Sequence, residues 1–194
     1  MKLQKAAMFG LDARIALAIF GALSVISGAA LYSAIQQARV TSTIVDLQEL
    51  GKSYEQYILD TGQDLAINSQ DIYIDMYDLV EDNSVAGWNG PYTSYEKGPL
   101  AHVLKYKDHP DIFIIHGLDE TWPAWSGTPG NVKCVAGKKC MVYVGFDGVP
   151  VDLANAIDEQ IDGSVDYLNG NVRVFTIANN YHVFIKQRAT LSQP

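Results

Sequence analysis

Hydrophobic and polar positions divide the first third of this chain into two stretches of different period. From Ile15 to Ile35 it reads IALAIFGALSVISGAALYSAI, with no charged residue between Arg14 and Arg39. A helix of about 20 such residues matches a hydrocarbon core about 30 Å thick, so residues 11–35 are expected to span a membrane. From Gln36 onward, Val40, Ile44, Leu47, Leu50, Tyr54 and Ile58 recur at every third or fourth position, the period of an amphipathic helix over 36–62. No proline precedes Pro91, so nothing in the chain removes a helical hydrogen bond between the two stretches. They are predicted to form one helix from about Asp12 to Asp60, roughly 49 residues and on the order of 70 Å long. Gly51 costs that helix about 1 kcal/mol relative to alanine, and Gly62 is its stop signal.

Beyond Gly62, the run QDIYIDMYDLVED predicts a second helix with Ser69 as N-cap. Ile72, Met76, Leu79 and Val80 would share one face, and Asp71, Asp75, Asp78 and Asp82 another. That acidic stripe reads first as a solvated face and second as a contact surface for a basic patch or a cation. All seven prolines fall after Gly87, which marks turn-rich β territory. His102–Lys105, Asp111–His116, Met141–Phe146, Val172–Ile177 and Tyr181–Lys186 have strand composition, and the last two flank a hairpin turn at Ala178–Asn180. Val151–Ile161 is helical by period, with Asp152 as cap and Gly163 as terminator. Residues 63–194 therefore read as one α+β domain.

Charge and cysteine content narrow the function. With 194 residues and a net charge of -8, the chain has no basic footprint for a phosphate backbone, and no nucleic-acid partner is expected. Lys2, Lys5 and Arg14 outnumber the single acid Asp12 before the span, which keeps the N-terminus cytoplasmic and puts everything after Arg39 outside. A disulfide between Cys134 and Cys140 suits that compartment; it would contribute about 2.4 kcal/mol by closing a short loop, and a free buried pair is the alternative. Two cysteines without neighbouring histidines do not make a structural zinc site. The apolar span itself admits three readings: a secretory signal cleaved near Ser27–Ala34, a plain single-pass anchor, or an anchor that continues outward as the amphipathic helix.

Catalytic constellations are not found. His102, His109, His116 and His182 lack metal-ligand spacing, GTPGNVK lacks the phosphate-loop spacing, and no nucleophile elbow or dinucleotide fingerprint occurs. No enzyme activity and no catalytic residue are expected. Trp122 and Trp125 in ETWPAWSGTPG read as packing beneath a long loop, or alternatively as an aromatic surface for a ligand of a membrane-anchored receptor or adhesion module.

Several motifs in sequence order resemble the type IV pilin and type II secretion pseudopilin superfamily. They are the leader MKLQKAAMFG before LDARIALAIF, the spanning helix with its amphipathic continuation, the turn GWNGPYTSYEKG with Trp88, Gly90, Pro91 and Tyr92, and the late stretch VPVDLANAIDEQIDGSVDYLNGNVRV. The resemblance implies a long N-terminal helix packed on an antiparallel sheet with a late disulfide. It implies a leader of residues 1–10, cut by a prepilin peptidase after Gly10 so that Leu11 becomes the N-terminus. It further implies a subunit of a pilus or secretion pseudopilus, stored in the inner membrane and extracted by an assembly platform into a periplasmic or surface filament. Its partners would be copies of itself or other pilin-like subunits, with Gly21 and Gly28 allowing close helix approach. The superfamily's glutamate at the fifth mature position is replaced here by Ile15, leaving Asp12 to pair with Arg14 or with a neighbour's amine. Some members bind calcium near the C-terminus, and Asp158, Asp162 and Asp166 are the candidate ligands, with solvated turn carboxylates as the alternative.

Overall fold

A computed structural model describes residues 3–68, 72–106, 109–123, 132–177 and 180–191. The chain forms two units, Met1–Ser42 and Thr43–Pro194. One helix, α1 (Leu3–Thr61), carries the chain through both.

In the first unit the described helix surface from Gly10 to Arg39 is exposed at every position. Leu17 and Phe20 are each 70% exposed, which a water-soluble helix does not tolerate over such a length. The helix is long and apolar enough to cross a membrane. Ser24, near the middle of the span, donates its hydroxyl to the Phe20 carbonyl at 2.8 Å and so needs no water.

The second unit is α+β. Ile44, Leu47, Leu50, Tyr54, Tyr57 and Ile58 form the buried stripe of α1 there, as the spacing of three and four predicts. The helix stops where Gly62 takes a left-handed conformation and its N–H donates to the Ile58 carbonyl at 2.8 Å. Six antiparallel strands follow: β1 (Glu96–Lys97), β2 (Leu104–Tyr106), β3 (His109–Leu118), β4 (Cys140–Val149), β5 (Val172–Ile177) and β6 (Asn180–Ala189), with the 12-residue helix α2 (Val151–Asp162) between β4 and β5. Their order in the sheet is β1-β2-β3-β4-β6-β5.

The ladder register explains the two-sided core. Ile112, Ile114 and His116 lie in rows with Phe146, Val144 and Val142 on one face, while Phe113, Ile115 and Tyr143 belong to the other. On the second face Phe113, Tyr143, Phe175 and Phe184 gather with Trp122 and Val132 into one buried cluster. The first face meets α1, where Tyr54 reaches His116 and the Gln187 side chain lies against Gly51.

Three local expectations are corrected. Residues 72–82 form no α-helix; Tyr73 bridges Ile115 and only Tyr77–Leu79 makes a single 3-10 turn. The Ile74 N–H donates to the Ile114 carbonyl and the His116 N–H to the Ile72 carbonyl, so this segment occupies the β3 edge that β2 is too short to cover. Asp75, Asp78 and Asp82 consequently make no helical stripe: Asp75 accepts from the Tyr77 N–H at 3.1 Å, and Ser69 and Asp71 lie outside the described residues. The N-cap of α2 is Pro150 rather than Asp152, with the Pro150 carbonyl receiving the Leu153 and Ala154 N–H groups. Gly163 ends that helix in the left-handed region, as expected.

Candidate functional site

The residues singled out on the apolar helix are all surface residues in the chain by itself. Gly10, Leu11, Asp12, Arg14, Gly21 and Gly28 are exposed, and a Cβ added at Gly10, Gly21 or Gly28 would meet nothing within 4 Å. Asp12 and Arg14 form no ion pair among the described residues, because positions two apart on a helix point to different sides. The expected Asp12–Arg14 pairing within one chain is therefore not made. What the helix offers is an apolar cylinder bearing small residues and one acid.

The turn 87–92 fastens the end of α1 to the domain. Trp88 Nε1 donates to the Asp78 carbonyl at 2.6 Å, and the Asn89 N–H donates to Tyr92 Oη at 2.9 Å. The Tyr92 N–H donates to the Leu79 carbonyl at 2.8 Å, and Gly90–Pro91 is cis. The Tyr92 ring stands edge-on to both Tyr57 of α1 and Trp88, each at 5.7 Å. Beside it a polar groove of about 330 Å³ runs between Asp46, Glu49 and Ser53 of α1 and Tyr92–Tyr95. Burial first, and the carboxylates of Asp46 and Glu49 second, push Tyr95 up to about 12.

Asp158, Asp162 and Asp166 act as turn anchors. Asp158 is fully buried and its Oδ2 accepts the Asp166 N–H at 2.9 Å. Burial holds the Asp158 carboxyl above the usual range, with Asp162 and Asp166 adding to it. Asp162 Oδ2 accepts the N–H groups of Asn171 and Val172 at 2.7 and 2.8 Å. Asp166 accepts from the Leu168 N–H and from Asn169 Nδ2, and the Asn169 side chain lowers its pKa. These bonds fix the path from α2 into β5. Among the described residues no three His, Cys, Asp or Glu side chains are placed to hold a metal ion.

Cys134 and Cys140 are joined in a disulfide. Trp122 is core: it is 2% exposed, its Nε1 donates to the Leu118 carbonyl at 2.9 Å, and Tyr143 packs on it at 4.9 Å. It is thus unavailable as a ligand platform, and Trp125 lies outside the described residues.

His102, His116 and His182 do not converge. His102 Nδ1 is 2.7 Å from Asn68 Nδ2, His182 stacks on Phe175 at 4.9 Å, and His116 faces Tyr54. Burial lowers all three. Sequence reasoning missed the buried contact between Tyr54 and His116, because partners 62 positions apart leave no local pattern. In comparisons with known proteins, no family model, curated protein or solved structure matches the chain.

Proposed function

We propose that this chain is a structural subunit of a filament of the pilus or secretion-pseudopilus kind, assembled through its N-terminal helix. One observation carries the reading: a single helix is apolar and exposed from Gly10 to Arg39 yet packed along one stripe from Ile44 to Ile58. In a bilayer the exposed part is satisfied by lipid. Outside it, the same surface needs the helices of other subunits, and Gly21 and Gly28 present no side chain to keep them apart. The proposed sequence of events is insertion in the inner membrane with residues 63–194 outside, cleavage after Gly10 by a prepilin peptidase, then extraction by a membrane assembly platform. The rival reading, a lone anchor bearing a receptor or adhesion domain, loses Trp122 as its aromatic platform.

Mass spectrometry of the mature N-terminal peptide tests the processing step. The chain is expected to begin at Leu11, and Gly10→Val to accumulate as uncut precursor because a branched side chain then sits at the scissile position. An N-terminus near Ala34 would identify an ordinary cleaved signal and remove the filament reading.

A further inference from the structure

Tyr54 of α1 is fully buried, and it stands between an acid and a base. Its hydroxyl donates to Asp64 Oδ1 at 2.7 Å, and its oxygen lies 3.4 Å from Nε2 of His116 on β3. With the hydroxyl proton committed to Asp64, the tyrosine oxygen is left to accept, so neutral His116 carries its proton on Nε2. His116 is only 3% exposed, and its own backbone N–H is committed to the Ile72 carbonyl. We propose that Asp64, Tyr54 and His116 form an acid-sensitive clasp between α1 and the sheet, which loosens when His116 takes up a second proton.

The groups around the clasp decide the direction. Asp64, on the segment after α1, is the carboxylate that favours a charged His116. Against it stands burial. Val142 pairs with His116 on one side and, at a register shift, with Arg188 of β6 on the other. Arg188 also acts on the Tyr54 hydroxyl, as Tyr57 does from the next turn of α1. A charged imidazole at this buried position is opposed by desolvation. Burial is the larger influence on His116 and holds its pKa below the ordinary value. Asp64 also lines an open depression of about 570 Å³ with Gly62, Gln63, Leu65, Ile67 and Leu191, which gives solvent protons a route to the network.

For a histidine with a depressed folded-state pKa, the unfolded or opened form binds more protons. The clasp is therefore complete above about pH 6.5 and weakens as pH falls below it. The test is amide hydrogen exchange on the full-length protein in detergent at about pH 7.5 and about pH 5.5, corrected for intrinsic exchange and read over the α1 peptide 47–61. Protection there is expected to fall by up to roughly tenfold per pH unit in the parent and in His102→Gln, and to stay flat in His116→Gln. An equal slope in His116→Gln, or no slope in the parent, overturns the proposal. Should His116→Gln fail to fold, NMR titration of His116 in the parent decides: a midpoint below 6.5 supports the clasp, and one at or above 6.5 overturns it.

Discussion

Asp111 precedes Ile112 on β3 and Asp147 follows Phe146 on β4, the residues paired at this end of the ladder, and the Asp111 charge acts on Asp147. Two like charges in proximity repel, and one Asp147 oxygen is buried without a hydrogen-bond partner. Burial, and then the Asp111 charge, push Asp147 up to about 6. A carboxyl whose folded pKa exceeds its unfolded value contributes stability below the unfolded value, about 3.9, and that contribution is lost as pH rises to about 6. Asp147→Asn, which carries no charge at any pH, should therefore raise the melting temperature near pH 7.5 and change it little near pH 4. Thermal melts of both proteins at the two pH values check this; an equal shift at both would mean that charge is not the cause. Asp162 shows the opposite use of an acid, since its Oδ2 accepts the N–H groups of Asn171 and Val172.

Two glycines separate what a helix and a sheet demand of their elements. At Gly51 of α1 the atoms nearest to an added Cβ all belong to the flexible Gln187 side chain. Gly51→Ala should then be neutral or stabilising by up to about 1 kcal/mol, the helix propensity gained. At Gly145 of β4 the Cβ would meet the Val183 backbone carbonyl and the Phe184 ring, and Phe113 and Phe184 stack across the bare position at 6.3 Å. Gly145→Ala should cost about 1–3 kcal/mol by overpacking. Urea denaturation of the two variants checks both expectations; equal effects would show that neither neighbour matters. The packed part of α1 was legible in the sequence because its period is intact from Ile44 to Ile58, and β5 was legible because Gly170 and the hairpin turn bound a run of β-branched and aromatic residues. The segment Ile72–Leu79 was not, since it satisfies two periods at once. Ile72, Met76 and Leu79 fit a helix, whereas Ile72, Ile74 and Met76 alternate with the half-buried Tyr73 and Asp75 as a strand does. The open edge of β3, invisible locally, decides between them. Distance along the chain likewise hid Tyr54–His116 and Asp111–Asp147.

At the scale of the whole molecule, what covers the apolar helix surface decides between a filament subunit and a lone anchor. Lipid asks only that the surface be apolar, whereas neighbouring helices ask that it also be small where they cross. Leucine at Gly21 and Gly28 preserves the first property and removes the second. Asp12→Ala should add to the loss if Asp12 meets a neighbour's amine. The most direct measurement is disulfide crosslinking between subunits carrying Leu23→Cys, together with sheared-filament yield, in the parent and in Gly21→Leu/Gly28→Leu. Crosslinked dimers and filaments are predicted in the parent, with both falling severalfold in the double variant while membrane insertion is unchanged. Equal crosslinking and equal shedding in the two proteins would make the helix a simple anchor and contradict the filament account.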